Sequence, residues 1–203
     1  MSDYFAELSS SGELALDVKR FYLVAGHSRT LKHVIRVARV AQELAGCYGA
    51  DRKAAEFAAL AHDLGVAVPD RDKLAVAKQM GVEVDPVDEL KPMLLHGPIA
   101  AAALAEKLGV RDEDVLNAVR YHTTLRAGAS RLEKIVFLAD KIALDPSADH
   151  EGVYLAELRA RPSLDGKVLV YLEFVLGQVG KPGWIAHPNA IAAYRDLVRP
   201  DRR

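Results

Sequence analysis

Six side chains of this sequence combine residue types that bind divalent metals with positions expected to face a helical core. They are four histidines and two aspartates: His33, His62, Asp63, His96, His122 and Asp140. Borderline divalent metals accept imidazole nitrogen and carboxylate oxygen as ligands, and they activate water for hydrolysis. Six such inward groups are explained most simply by a hydrolytic centre with one or two metal ions, anchored by the adjacent pair His62-Asp63.

The spacing of apolar residues predicts that three of these imidazole rings point inward. His33, Val37, Val40 and Leu44 lie at i, i+4, i+7 and i+11, so they share one side of a helix. His62 follows an apolar helix face formed by Ala55, Ala58 and Ala59. His122 follows a similar face formed by Val115, Ala118 and Val119.

Each residue also has an explanation that involves no metal. A single inward histidine is more often a hydrogen-bonded core residue than a ligand. The Asp140 carboxylate lies at the margin of an apolar stripe, where it needs either a metal ion or a lysine or arginine partner. One shared ion site explains the six groups more economically than six separate causes. His27, His150 and His187 lack the inward pattern, and we assign them to the surface or to loops.

Helical periodicity extends over nearly the whole chain, and alternating β-branched runs are almost absent, so the sequence predicts an all-α protein. Asp51 and Asp112 are predicted N-caps, and Ser130-x-x-Glu133 is a capping box. The tail should contain two or three helices, and the segment 70–92 a short helix with a long loop. The remaining helices are expected over about 28–47, 54–63, 98–108, 112–121 and 130–144.

Composition limits the classes of function. The 203 residues include 27 Lys+Arg and 28 Asp+Glu, so no global charge favours binding to nucleic acid or to an anionic membrane. Neither a secretory signal nor a membrane-spanning run is visible. The single cysteine, Cys47, excludes internal disulfides and thiolate-rich zinc modules. We therefore expect a cytoplasmic protein whose metal is held by nitrogen and oxygen.

Five ordered motifs resemble one known family. They are His33-Val-Ile-Arg-Val-Ala with the following Tyr48-Gly-Ala-Asp, Ala61-His62-Asp63, Leu95-His96-Gly97, Tyr121-His122-Thr123-Thr124, and Leu132-Glu-Lys-Ile-Val-Phe-Leu-Ala-Asp140. In these motifs the chain resembles the HD-domain metal-dependent phosphohydrolases. Within that superfamily it is similar to the YqeK-type symmetrical dinucleoside tetraphosphatases, over roughly residues 28–153.

The resemblance implies an HD-domain helical bundle with additional C-terminal helices. Residues 1–27 would be an N-terminal helical extension, 28–153 the HD domain, and 154–203 C-terminal helices packed on the same domain. The implied activity is hydrolysis of diadenosine tetraphosphate to two ADP. The implied cofactor is a pair of divalent ions, with iron as the expected metal and manganese, zinc, cobalt or nickel as other acceptable ions.

The resemblance also implies a function for each proposed ligand. His33, His62, Asp63 and Asp140 would form the basic metal set, while His96 and His122 would complete the shell of the second ion. Asp63 could bridge both ions, and His62 and Asp63 are the predicted catalytic residues. Two ions can activate a shared water for in-line attack at phosphorus, so Cys47 is not needed as a nucleophile.

A polyphosphate substrate also needs cations or hydrogen-bond donors from the protein. The candidates are Arg29, Thr123, Thr124, Arg126 and Lys134. Exposed lysines and arginines are usually only solvated, so each has that alternative. Arg126 and Lys134 rank first because they flank two proposed ligands.

Three departures from the family pattern concern this phosphate environment and leave the metal set intact. Gly65-Val66-Ala67 stands where a lysine is common, Leu125 replaces a glycine, and Lys141-Ile-Ala-Leu-Asp145-Pro-Ser replaces Glu-Pro-x-Arg. Two alternatives therefore stay open: a phosphohydrolase for another nucleotide or phosphate ester, and a non-catalytic nucleotide-binding regulator. Four C-terminal aromatics are either plain core or a docking surface for a homodimer, namely Tyr154, Tyr171, Phe174 and Trp184.

Overall fold

A computed structural model describes residues 3–143 and 152–199 of the chain. Within these two ranges the protein contains only helices, turns and loops, which confirms the all-α prediction. Short 3-10 helices cover Leu64–Ala67 and Pro92–Leu95. The α-helices are α1 Leu14–Val24, α2 Ser28–Tyr48, α3 Arg52–Ala61, α4 Asp70–Gln79, α5 Pro86–Leu90, α6 His96–Lys107, α7 Glu113–Arg120, α8 Arg131–Ile142, α9 Gly152–Ala160, α10 Leu164–Leu176 and α11 Pro188–Leu197.

The pair α2 and α3 forms one wall of the bundle. The buried stripe of α2 is the predicted one, made of Val34, Val37, Ala38, Ala41 and Ala45, and it packs on α3 and α8. Gly49 ends α2 with φ of 66°, a left-handed conformation that glycine adopts without strain. Asp51 then begins α3 by accepting hydrogen bonds from the backbone N–H groups of Lys53 and Ala54.

Helix α8 lies at the centre of the bundle and contacts α2, α3, α7 and α10. Every residue from Leu132 to Lys141 is buried, including the charged ones. The predicted capping box is present, because the Ser130 side chain accepts from the Glu133 N–H and the Glu133 side chain accepts from the Ser130 N–H. Helix α8 therefore begins at a fixed residue, which determines where its later side chains point.

The structure differs from the predicted elements in the segment 70–92, which contains two helices, α4 and α5. Helix α4 is more polar than a typical amphipathic helix, and it even buries Lys73, so its apolar pattern is weak. Helix α6 begins at His96 and not at Pro98, since proline is tolerated throughout the first turn, where no intrahelical N–H bond is needed.

The C-terminal helices pack on the bundle through α10, which contacts α8. Tyr154 is buried, and its ring lies 5.3 Å from that of Tyr171 and 4.8 Å from that of Phe174, so these aromatics belong to the interior. Trp184 is exposed. His150 lies outside the described residues. Among the helices described, none combines the length and the apolar character that crossing a membrane requires.

The capping box makes a prediction about stability. Ser130→Ala removes the side-chain acceptor of the Glu133 N–H, and we expect the free energy of unfolding to fall by about 1 kcal/mol. Urea denaturation measures this change. Ser28→Ala is the matched control, because α2 starts without a side-chain cap, and it should change stability by less than about 0.5 kcal/mol. Equal stability of the two variants would contradict the proposed cap.

Candidate metal centre

The six predicted ligand residues meet at one point of the bundle. His33 lies on α2, His62 and Asp63 directly follow α3, His96 begins α6, His122 follows α7, and Asp140 lies on α8. Their ligand atoms form three overlapping groups, in each of which all atoms lie within 4.8 Å of one another. The groups are His33-His62-Asp63, His62-His122-Asp140 and Asp63-His96-His122.

The Asp63 carboxylate lies between two pairs of histidines. Its Oδ2 atom is 3.8 Å from His33 Nε2 and 3.6 Å from His62 Nε2. Its Oδ1 atom is 3.4 Å from His96 Nε2 and 3.9 Å from His122 Nε2. Each carboxylate oxygen therefore faces a different pair of imidazoles, which is the arrangement that a residue bridging two ions requires.

The second carboxylate lies nearest to one of these pairs, and it also belongs to a group with His62 and His122. Asp140 Oδ1 is 3.1 Å from His33 Nε2 and 3.6 Å from His62 Nε2. Ligand atoms bound at about 2.1 Å to one ion lie about 3.0–3.4 Å apart, and most separations here are near or slightly above that range. The spacing suits ligands arranged around an ion.

Three of the histidines are fixed by the same backbone contact. His62, His96 and His122 each donate Nδ1–H to the carbonyl three residues earlier, and the acceptors are Ala59 at 2.7 Å, Met93 at 2.5 Å and Val119 at 2.8 Å. With the proton on Nδ1, each ring directs the lone pair of Nε2 towards the carboxylates. A histidine that binds a metal through Nε2 needs this tautomer and this orientation.

The surroundings of the Nε2 atoms are evidence that a cation would fit this cluster. His62 Nε2 is buried and has no hydrogen-bond partner among the residues described. His96 Nε2 and His122 Nε2 lie 2.9 Å apart, although neither carries a proton in the tautomer that the backbone selects. Buried lone pairs that face one another are costly unless a positive centre lies between them. The nitrogen and oxygen donors of this cluster thus fit a divalent metal.

Burial and the neighbouring charges shift the pKa values of two histidines in the cluster in opposite directions. Burial opposes the charged form of His62, but Asp63 and then Asp140 outweigh it and raise the pKa of this ring to about 9. Burial holds the pKa of His122 well below its usual value, with repulsion from His62 and His96 adding to the effect. At His62 the two carboxylates therefore favour a positive charge in a buried space.

Two glycines allow the ligand-bearing segments to approach. A Cβ atom on Gly65 would lie 2.1 Å from the His96 carbonyl oxygen. On Gly97 it would lie 2.8 Å from the Arg120 carbonyl oxygen and 3.1 Å from His122 Nδ1. The start of α6 therefore fits between the segment after α3 and the end of α7 only because these positions lack side chains. Sequence reasoning considered Gly65 as a departure from the family pattern and overlooked its packing function.

The structure places the five predicted substrate contacts in different surroundings. Thr123 Oγ1 is 3.0 Å from His122 Nε2, and Thr123 and Thr124 both line a cleft of about 630 Å³ beside the cluster. Arg29 is exposed one helical turn before His33. The remaining two have acidic partners: Arg126 makes two bonds of 2.7 Å to Glu133, and Lys134 makes one of 2.6 Å to Asp165. The function of these residues as substrate contacts stays a prediction.

The same cleft involves residues that sequence reasoning missed. Arg120 and Tyr121 line it from the end of α7, and His187 lines it from the start of α11. His187 was assigned to the surface or a loop, but its side chain is largely buried. Its Nδ1 accepts from Asn189 N, and its Nε2 lies 3.6 Å from Asp88 Oδ1. The proline after His187 is typical of a helix start and is the signal that could have indicated this position.

Leu125 explains one departure from the family pattern. Its φ is 59°, and it is the one residue other than glycine with positive φ in the part of the chain that the structure describes. The backbone at Leu125 is thus in the left-handed region that glycine adopts without strain. The Leu125 side chain is buried, so apolar burial offsets the conformational cost.

With the geometry established, comparisons with known proteins identify the family. Residues 30–145 match the HD domain, and the chain belongs to this family. It is 35% identical over 184 residues to the symmetrical bis(5'-nucleosyl)-tetraphosphatase of Halalkalibacterium halodurans, covering 89% of this chain and 96% of that protein. The protein of the same name from Bacillus subtilis is 31% identical, covering 82% of this chain and 88% of that protein.

A solved structure also resembles this one over nearly its whole length. It is the crystal structure of a protein from Clostridium acetobutylicum described as a predicted HD superfamily hydrolase involved in NAD metabolism. The TM-score is 0.81 and the sequence identity 31%, with 92% of this chain and 96% of the other covered. The helical HD fold predicted from the motifs is therefore confirmed.

Gly65 provides a test of the packing around the centre. Gly65→Ala should lower the free energy of unfolding by at least about 1–3 kcal/mol, because a backbone carbonyl must move to make room. Gly46→Ala, at an exposed position of α2, is the control, since its Cβ would meet only the Arg52 side chain at 3.7 Å. It should stabilise the helix by about 0.5–1 kcal/mol. Chemical denaturation distinguishes the variants, and a neutral Gly65→Ala would contradict the close approach.

Tyr22 provides a second test, because its buried hydroxyl has no hydrogen-bond partner among the described residues. Burial and then the charge of Asp63 raise its pKa well above the usual value. Tyr22→Phe should therefore leave thermal stability unchanged or increase it, by up to about 1–3 kcal/mol. In the control Tyr4→Phe, loss of the 2.7 Å bond to Asp72 should cost about 0.5–1.5 kcal/mol. A destabilised Tyr22→Phe would mean that the hydroxyl has a partner.

Proposed function

We propose that this protein is a metal-dependent hydrolase that cleaves diadenosine tetraphosphate symmetrically into two ADP. The observation that carries the proposal is the position of Asp63, whose two oxygens each face a separate pair of imidazoles. The match to symmetrical tetraphosphatases over most of both chains supports the choice of substrate.

The ligands divide into two groups around Asp63. His33, His62 and Asp140 lie on the Oδ2 side of this carboxylate, and they would hold one ion together with it. His96 and His122 lie on the Oδ1 side and would hold a second. We propose iron as the metal, with manganese, zinc, cobalt or nickel as substitutes that the same donors accept. Bound divalent ions supply a water of lowered pKa and neutralise charge on phosphoryl oxygens.

The residues of the chain would bind and orient the polyphosphate. The cleft of about 630 Å³ lies within the usual size range of small-molecule sites and begins at Thr123, directly beside His122. The Thr123 hydroxyl can donate to a phosphoryl oxygen at the boundary between the centre and the cleft. Arg120 uses one donor for the Asn117 side chain, so its other N–H groups can bind phosphate. One nucleotide half of the substrate would lie in this cleft, and Arg29 would contact the other.

We also propose the domain division given by the motifs: an N-terminal helical extension over 1–27, the HD domain over 28–153, and C-terminal helices over 154–203. Buried Phe5 and Leu8 support an extension that packs on the core, and contact of α10 with α8 supports a shared body. A cytoplasmic location agrees with a nucleotide substrate and a single cysteine.

The activity is tested with purified protein loaded with iron or manganese. Diadenosine tetraphosphate should yield ADP as the sole nucleotide product on chromatography. His33→Ala should lower kcat by more than about 10–100-fold, the loss caused even by changing a partner of a metal ligand. His27→Ala is the matched control on the same helix, because His27 lies outside the cluster and makes no side-chain cap, and its activity should match wild type.

Other outcomes would identify the alternatives. Release of AMP and ATP, or cleavage only of a different nucleotide or phosphate ester, would replace the proposed substrate while retaining a phosphohydrolase. Nucleotide binding without turnover, with every metal tested, would favour a non-catalytic regulator.

A further inference from the structure

Lys141 is a charged residue buried directly beside the proposed metal centre. It lies in the last turn of α8, immediately after Asp140, and its residue surface is only 5% exposed. Its Nζ donates to Asp140 Oδ2 at 2.6 Å and to the His122 carbonyl oxygen at 3.3 Å. A buried ammonium is costly unless it is paired, so these two acceptors are the reason that a lysine can occupy this position.

The contact with Lys141 gives the two oxygens of Asp140 different environments. Oδ2 is held by the ammonium, while Oδ1 faces His33 and His62 at 3.1 and 3.6 Å. The carboxylate cannot rotate to exchange these oxygens without breaking a buried ion pair. Only Oδ1 is therefore available to an ion in the cluster.

The Lys141 ammonium contacts one residue from each of the two groups of proposed ligands around Asp63. Asp140 faces the histidines on the Oδ2 side of Asp63, whereas His122 belongs to the pair on the Oδ1 side. The Phe137 and Tyr171 rings lie 5.4 and 5.6 Å from Nζ, distances at which cation–π attraction acts. Tyr171 belongs to α10, so a C-terminal helix completes the surroundings of the lysine.

We propose that Lys141 is a positioning residue for metal binding. It fixes Asp140 as a ligand through one oxygen, and its hydrogen bond to the His122 carbonyl holds that segment beside Asp140. The proposal deepens the proposed function and rests on the metal binding contained in it. Lys141 acts through Asp140 and His122 rather than on the substrate, so its removal should affect the metal first.

The test compares two buried lysines. Lys141→Met removes the charge while keeping a long side chain, and it leaves Asp140 Oδ2 unpaired. Lys73→Met is the matched control, because Lys73 is also buried and donates to the Val68 carbonyl at 2.6 Å and to Asp70 at 2.7 Å, away from the cluster. The metal content of each variant is counted by mass spectrometry after purification without chelator, and the metal Kd is measured by chelator competition.

We expect Lys141→Met to raise the metal Kd by about 10–100-fold, while Lys73→Met keeps the wild-type value. With cobalt as the probe, the visible absorption spectrum should change in Lys141→Met alone, because only that variant alters a ligand's geometry. Should Lys141→Met not fold, Lys141→Gln serves the same comparison, since its amide can donate to Asp140 but lacks the charge. Its Kd should also rise.

The possible results separate this inference from the proposed function. Wild-type metal affinity in the Lys141 variant, or an equal loss in Lys73→Met, would overturn the inference alone. Wild-type protein that binds none of the metals would overturn the proposed function as well.

Discussion

The candidate metal centre depends on two carboxylates, buried Asp140 and partly exposed Asp63, that lie within a group of imidazoles. A buried carboxylate is stable only with positive charge beside it, and the histidine lone pairs directed at the same space have the same requirement. A shared requirement for a cation therefore adds to the packing contacts among α2, α3, α6, α7 and α8. The bundle brings these helices together where that demand can be met.

Backbone carbonyls at helix ends orient three of the proposed ligands. The last carbonyls of a helix lack intrahelical donors, and His62 and His122 each donate Nδ1–H to a carbonyl of this kind, at Ala59 and Val119. His96 does the same with Met93 in the preceding 3-10 helix. The His62 and His122 contacts each satisfy a helix-end carbonyl, and all three contacts select the tautomer with Nε2 free. The N-cap at Ser130 and the small residues Gly65 and Gly97 then place these ends within reach of Asp63.

The sequence predicted much of this arrangement because the strongest patterns lie on the elements that carry the ligands. The stripe of α2, the caps at Asp51 and Asp112, and the capping box at Ser130 are local signals that fix helix type and phase. Periodicity indicates which face of a helix is buried, but not which other face it meets. The motifs of the HD family provided that missing information, since they state which separate segments converge.

Sequence reasoning missed mainly the buried polar pairs. Lys141 and Lys73 resemble ordinary surface lysines in the sequence, and only tertiary contacts make them interior residues. The proximity of His187 to Asp88 joins elements about a hundred residues apart, so no local pattern indicates it. Leu125 was also missed, because the sequence does not indicate that a residue other than glycine has a left-handed backbone here. In each case long-range packing outweighs local preference.

Anomalous X-ray diffraction from metal-loaded crystals, recorded on both sides of the absorption edge of the metal, tests the central claim most directly. The account predicts one anomalous peak on each side of the Asp63 carboxylate, the first also bonded to His33, His62 and Asp140 and the second to His96 and His122. Peaks elsewhere in the chain, with Asp63 bonded only to protein side chains, would contradict it.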